Sequence, residues 1–499
     1  MGRTLGDGFT AVRVDAESTA RAAKQEISLA DIYDELQIAN DWTPEERQLA
    51  LDLEIRFEFA NVIPISENLC RVRDGDIVVS DMYLPPEIIM ALLSAAGLSK
   101  AVTIFVSNNG KGDGSMWRRL NSQFRILKHT GDNLRSDLLR PLRHGIPARL
   151  TEASAETPWE RVLRCNGAPA LSAYVREMRL GITHENEASR TVQRAQIEAN
   201  FPLLLMASGA LVQWCKQRSV SSALMCSRDC ILWAQLAEKV ARHADSDLVV
   251  EYFLTSRVAS LKSSNDFLEY ASKRIKPDAV VVDLSMTGVS LAGLADRLGI
   301  KEVSAFVIAW HQSIAKALYG DKFQPNAKVN IEFLTAEVID EDLEALNQAL
   351  TPSIHDVQET RSGLSISYGS ENRSQVVLDA IRVQNSMFAE LLHRVPDAVL
   401  EEALELATST RLVFLVRECA RHAGTFKTVI TKAQPGAALW NDPNGIKLNL
   451  PYASQHPISR WLIYLLKRLL KPLIPPGSTL HRLGKRLMSI LQVLKNRRK

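Results

Sequence analysis

"GDIVVSDMYLP" (residues 75–85) carries an apolar run, Ile77 to Val79, that delivers Ser80 and Asp81 to a loop. Two more passages of the same kind follow before Pro147. In "AVTIFVSNNGKGDGSMW" (101–117), Ala101 to Val106 leads into a glycine-rich loop bearing Lys111. In "ILKHTGDNLRSDLL" (126–139), Ile126 and Leu127 lead to Gly131-Asp132 and then to Asp137. The helical stretches between these runs, Pro86 to Ala96 and Ser115 to Gln123, predict parallel strands with crossover helices. Ligands of such sheets sit at the carboxyl ends of the strands, where these three loops fall.

A hydroxyl can hydrogen-bond a phosphoryl oxygen, a lysine supplies a compact positive charge, and two carboxylates can hold a hard cation such as Mg2+. Ser80, Lys111, Asp132 and Asp137 supply that set in that order. The order resembles the haloacid dehalogenase superfamily, and "GDNLRSD" fits its GDxxxxD acidic motif at both Asp positions. "SDMYLP", "GIPA" (145–148) and the spacing of Phe9, Arg13, Ala16-Glu17 and Ala20-Arg21 resemble a bacterial subgroup found with glycosyltransferases and surface-polysaccharide genes. The resemblance implies a Rossmann-like core with a helical cap and a phosphatase-type activity. Ser80, Lys111 and Asp132 would be catalytic, with Ser80 and Lys111 on the phosphate and Asp132 and Asp137 on Mg2+. It also implies an earlier strand ending in DxD, the first Asp being the nucleophile. Asp15, in "VRVDAEST", has neither an apolar strand before it nor a second Asp two residues on. The expectation is a chain that starts after its catalytic strand, a nominal phosphohydrolase with impaired turnover.

At 499 residues the length favours several domains, and 46% hydrophobic with 23% charged residues is the balance of an ordinary soluble protein. Four segments are expected: a helical cap over 1–70, the haloacid dehalogenase-like core over 71–155, a second α/β unit over 165–440 and a basic tail over 455–499. In the first, Ser28 caps a helix with Ile32, Leu36 and Ile38 on one stripe, and Thr43-Pro44 opens a second that ends before Pro64. Glu54 and Glu58 share a face of that second helix, read as solvated in preference to a contact over the phosphate site. Six scattered cysteines read as buried free thiols in a reducing cytoplasm.

The second unit reads as four strands alternating with helices, a doubly wound sheet. The strands are "SALMCSRD", which ends at Ser227-Arg228-Asp229, then "LVVEYFLTSR", "DAVVVDLSMTGVSL" and "VSAFVIAWH". In the third, an apolar strand ends at Asp283 and a Thr287-Gly288 turn opens a helix at Ser290, a backbone-amide cradle for phosphate. This looks like the phosphoribosyltransferase signature, except that Leu284 stands where a second acid is usual. Arg228 and Arg257 are placed to reach the same anion. Residues 330 to 440 read as helical, with "SISYGSENRSQ" (365–375) an exposed loop.

From Pro443 to Lys499 there is no Asp or Glu and there are twelve Lys/Arg, which leaves the rest of the +3 chain net acidic. "RWLIYLLKRLLKPLI" sets leucines and Trp461 on one face and Lys467, Arg468 and Lys471 on the other, a pattern that lies on anionic membranes. A helical hairpin packed on the body is the other reading. The expected ligands are phosphorylated small molecules, sugar phosphates or nucleotides, with an anionic membrane surface and glycosyltransferases as partners. No nucleic acid is expected, because no aromatic residues interleave with the tail's charges. Three functions stay open: a phosphohydrolase of surface-polysaccharide assembly at the inner membrane face, a non-catalytic scaffold or ligand sensor, and a transferase centred on Asp283 to Ser290.

Overall fold

A computed structural model describes residues 8–183, 186–262, 264–310, 326–335 and 344–426. The expected basic tail therefore lies outside the described residues. The chain begins with three helices, α1 (Phe9–Ala23), α2 (Leu29–Asn40) and α3 (Pro44–Asn61). α2 and α3 each open with a reciprocal capping box, Ser28 with Asp31 and Thr43 with Glu46, and Pro44 takes the first turn of α3. Ile32, Tyr33 and Leu36 are fully enclosed, against Phe9, Ala16 and Ala20 of α1. Ile38, expected on the same stripe, is instead 77% exposed.

Strands β1 (Ile77–Ser80) and β2 (Thr103–Val106) pair in parallel, Ile77 facing Thr103 and Ser80 facing Val106, with α4 (Pro86–Ala95) as the crossover. Leu84, Ile89 and Leu92 bury into the α1–α3 core, so the helical segment sits directly on this βαβ unit. After α5 (Ser115–Gln123), β3 (His129–Gly131) pairs in parallel with β4 (Ala148–Leu150). The link between them is a π-helical turn (Leu134–Leu139) and a single α-helical turn, α6 (Arg140–Arg143). Asn133 starts the π turn by accepting from the backbone N–H groups of Arg135 and Ser136, at 2.9 and 3.0 Å. α7 (Pro158–Cys165), opened by a Thr157–Glu160 capping box, and α8 (Pro169–Leu180) lead out of this region.

The second region is organised on an all-parallel sheet in the order β6-β5-β7-β8-β9. The strands are β5 (Ser222–Cys226), β6 (Val249–Phe253), β7 (Ala279–Met286), β8 (Glu302–Trp310) and β9 (Lys328–Thr335). Helices flank it. Alternate side chains go to opposite cores: Ala223, Met225, Val280 and Val282 to one, Leu224, Cys226 and Val281 to the other. Both faces are buried, as parallel sheets require. On the first face lie α9 (Glu187–Ala195), α10 (Phe201–Arg218), α11 (Ile231–His243), α15 (Gln375–Arg394), α16 (Asp397–Ala407) and α17 (Leu412–Ala423). On the second lie α12 (Arg257–Lys262), α13 (Asn265–Ser272) and α14 (Val289–Arg297).

A π turn joins α9 to α10, and their 32 residues contain the only stretch among the described residues apolar and long enough to cross a membrane; that window is wholly buried. Two sequence expectations need correction. The sheet has a fifth strand, β9, and the region expected to be helical also holds an antiparallel pair, β10 (Ile354–Thr360) and β11 (Gly363–Tyr368). β11 ends inside the supposed loop "SISYGSENRSQ". Its residues are mostly exposed, although Leu364, Ile366 and Tyr368 alternate with serines as strand residues do.

Candidate functional site

Lys111 lies in a turn just after β2, and its side chain is almost enclosed, at 10% exposure. Its Nζ stands 3.0 Å from Oδ1 of Asp137 and 3.9 Å from Oδ1 of Asp81, at the carboxyl end of β1. Asp137, on the π turn, is 1% exposed, and its Oδ1 also meets Nε2 of His129 at 2.9 Å. Its Oδ2 accepts from the backbone N–H of Asn133 at 3.0 Å. Burial alone would raise the Asp137 carboxyl, but the hydrogen bonds from His129 and Lys111 outweigh it and hold the group at about 2. Asp137 is therefore an anion at neutral pH, and it fixes the lysine.

Local sequence explains this geometry. A Cβ on Gly131 would stand 2.3 Å from Cγ of Asp137, so the glycine of "GDNLRSD" is what lets the carboxylate approach. Trp117 donates from Nε1 to the Lys111 carbonyl at 3.1 Å, and its ring lies 4.5 Å from that of His129, closing the floor. The glycine-rich lysine loop is pinned. Ser107 Oγ accepts from the Gly110 N–H at 2.8 Å and donates to Glu26, which also accepts from the Asn108 N–H at 3.0 Å.

Ser80 ends β1 beside Asp81, and its Oγ accepts from the Met82 N–H at 3.2 Å. Asp132 is exposed and accepts from Ser154 Oγ at 2.9 Å. Lys111, Asp137 and Asp81 are thus brought together, with Ser80 adjoining them, while Asp132 turns outward. These residues do not present two free carboxylates to one cation, since both oxygens of Asp137 are engaged by protein donors. The described residues contain no group of three or more His, Cys, Asp or Glu suited to a metal. The donor set therefore does not fit the Mg2+ expected at Asp132 and Asp137. His129 escaped the sequence reading; its position two residues before Gly131 is the one signal that could have found it.

Glu54 was expected on a solvated face and is instead buried. It accepts from Nε and Nη2 of Arg13 at 3.1 and 3.0 Å and from the Tyr33 hydroxyl at 2.7 Å, and so ties α1, α2 and α3 together. Its role is structural.

The second constellation lies at the carboxyl ends of β5 and β7, where the strand order reverses and open α/β sheets take their ligands. Gly288, at φ 86°, begins α14, which has no side-chain cap; Thr287 and Ser290 flank this start, both half-buried. A Cβ on Gly288 would stand 2.9 Å from Cδ1 of Ile331. Asp283, Asp229 and Glu344 gather beside this turn. Burial and the neighbouring carboxylates Asp229 and Glu344 push the Asp283 carboxyl far up. Burial and Glu344 raise Asp229 to about 7, against the pull of Arg228. Glu344 is raised by burial, and its hydrogen bond from Ser285 Oγ at 2.7 Å, with Arg257 and Arg228 nearby, pulls the other way. Arg228 reaches Ser353 Oγ at 3.3 Å, and Arg257 is exposed at the start of α12. The sequence reading placed Asp283, Arg228 and Arg257 at this edge but not Glu344, which is 61 residues further along the chain than Asp283.

Cys226 and Cys230 stand beside this cluster with thiols pushed up by burial, the inert free thiols expected, whereas Cys70 and Cys165 are exposed rather than buried. The cluster makes a pH prediction. A carboxyl raised in the folded state costs stability as the pH climbs from its ordinary value near 4 through about 7. Asp229→Asn should therefore match wild type near pH 4 and exceed it by about 1–3 kcal/mol above pH 8. Urea unfolding at the two pH values checks this; a gap that narrows with rising pH would contradict it.

No protein-family model matches the chain, and no curated protein matches it.

Proposed function

We propose that this chain is a haloacid dehalogenase-like phosphate-ester-handling protein, nominally a phosphohydrolase, of bacterial surface-polysaccharide assembly. It would bind a sugar phosphate or nucleotide at the strand ends that carry Ser80, Asp81 and Lys111. The observation that carries the reading is the nearly enclosed Lys111 ammonium at the end of a parallel β-α-β unit, 3.0 Å from Asp137. A buried ammonium held by one carboxylate keeps its other donors for an oxyanion, and the half-exposed Asp81 can turn to solvent as a phosphoryl group enters. Covalent turnover needs a nucleophile facing that lysine, and Asp81 is the one exposed carboxylate within 4 Å of it among the described residues.

Calorimetric titration with glucose 1-phosphate, with and without Mg2+, tests the reading. Lys111→Gln keeps an N–H for Asp137 and removes the charge, and it should weaken binding at least tenfold, since a hydrogen bond to a charged group is worth about 1.5–3 kcal/mol. Equal affinity in the two proteins would end it. Tighter binding with Mg2+ that is lost in Asp132→Asn would bring the metal back to Asp132 and Asp137.

The switch-point cluster favours a second reading, in which the β5/β7 edge binds a phosphorylated ligand of its own, without turnover or as a phosphoribosyltransferase-like site. The start of α14 would take the phosphate, with Arg228 and Arg257 beside it. Thr287→Val should then weaken binding of AMP about tenfold and leave Lys111-dependent binding intact. Unchanged AMP affinity would make the turn an ordinary strand-helix connection. The acid-free tail completes the proposal as an anchor to anionic lipid on the cytoplasmic side.

A further inference from the structure

The segment from Ser115 to Leu150 surrounds one small core of Met116, Trp117, Leu120 and Ile146, with Val79, Phe105 and Ile126 at its margin. So small a core leaves apolar side chains outside. Phe124, Leu127, Leu134, Leu139 and Leu142 are exposed, Leu127 at 76%. They are five of the nineteen exposed large apolar residues among the described residues, within a run of nineteen positions, which is denser than ordinary scatter.

The exposed charges interleaved with them are positive with one exception. Arg118, Arg119, Arg125, Lys128, Arg135, Arg143 and Arg149 are all exposed, and Asp132 is the one exposed carboxylate between Ser115 and Leu150. None of the seven cations forms an ion pair among the described residues. The pieces belong to one lobe. Asn121 Nδ2 donates to the His144 carbonyl at 3.1 Å, joining α5 to the end of α6. The Phe124 ring lies 5.9 Å from that of Phe105, over which Arg119 sits at 5.4 Å. The π turn carrying Leu134 and Leu139 runs directly into α6, which carries Leu142.

We propose that this lobe is a docking face for an anionic lipid bilayer. Unpaired guanidinium groups suit lipid phosphates, which they grip in bidentate fashion, and the phenylalanine and leucines enter the boundary between headgroups and acyl chains. A nucleic acid would use the cations but gain nothing from four exposed leucines, and its bases stack on aromatic residues, of which this face exposes only Phe124. Among the described residues, none of the five exposed apolar side chains or the seven cations is a side-chain partner of Lys111 or Asp137, so the phosphate reading does not decide the proposal.

The test is co-sedimentation of the full chain with phosphatidylcholine vesicles, with and without phosphatidylglycerol. Binding should require the anionic lipid and weaken with salt. Each basic residue near such a surface is worth about fivefold in binding. The triple variant Arg125→Glu, Lys128→Glu, Arg135→Glu should therefore bind at least tenfold more weakly and melt like wild type, because all three side chains are exposed. Leu127→Ser with Leu134→Ser should weaken binding severalfold without changing its salt dependence. The tail is intact in every variant, so these losses belong to the lobe. Wild-type affinity in the triple variant, indifference to phosphatidylglycerol, or tighter binding to a DNA duplex than to the vesicles would each overturn the proposal.

Discussion

Replacing Gly209 by valine should cost at least about 3 kcal/mol of folding stability, the upper range for overpacking a core. Gly209 is where α10 crosses α16. A Cβ built there would stand 2.3 Å from the Ala403 carbonyl oxygen and 2.8 Å from its carbon, distances that real Cβ atoms do not show. The obstacle is backbone, so no rotamer change relieves it. The helices must separate, and Val399, Leu400, Ala403 and Leu406 of α16 then lose contact with a helix buried along most of its length. Dispersion falls steeply with such gaps, since a separation of 0.5–1 Å forfeits roughly a quarter to a half of each contact. Gly209→Ala should cost about 1–3 kcal/mol for the same reason. Gly112 provides the control. It has no heavy atom within 4 Å of its virtual Cβ, so alanine there should stay within about 0.5 kcal/mol of wild type. Urea midpoints of the three variants check this, and a Gly209→Ala protein as stable as wild type would refute it.

Asp137→Ala should cost about 3–5 kcal/mol, the usual result of leaving one partner of a buried pair without the other. The alanine strands the Lys111 ammonium, at 10% exposure, beside His129 and orphans the Asn133 N–H. Adding Lys111→Met should recover part of the loss, because the pair's own desolvation then disappears. The pH dependence follows from the depressed carboxyl. Its contribution is fully present above the unfolded value near 4 and is lost as the pH falls through about 2. The loss amounts to about 2–3 kcal/mol, which Asp137→Asn should not show between pH 5 and pH 2. Chemical unfolding across that range reads it directly. A wild-type protein whose stability is flat from pH 5 to pH 2 would contradict the assignment.

Much of the architecture was legible. β7 and β8 are long apolar runs buried on both faces, and Thr43-Pro44, Ser28 and Thr157 mark helix starts by capping chemistry that acts within four residues. β9 carries a strand's own signal, Val329, Ile331 and Phe333 separated by Asn330 and Glu332, and escaped the sequence reading because the run is short and lies half-exposed at the sheet edge. At the first site, residue types and order brought Lys111 and Asp137 together correctly, while the partition between Asp132 and Asp137 was not readable. That partition depends on the π turn, which faces Asp137 inward and leaves Asp132 with Ser154. At the second site, strand order decides what meets. Asp229 follows β5 and Asp283 lies in the neighbouring β7, and nothing in the local sequence says that β5 lies between β6 and β7.

The burial of α10 has a consequence for synthesis. Its cover is supplied by α11 soon afterwards, but also by α16 and α17, which end roughly 200 residues later. At about 5–20 residues per second, a helix carrying Leu203, Leu204, Leu205, Met206 and Leu211 waits on the order of 10–40 s for its last neighbours. During that interval the nascent chain displays the one apolar stretch among the described residues that matches a membrane span in length and hydropathy. The yield of the second region in cells should therefore depend on translation pace as well as on the stability of the finished fold.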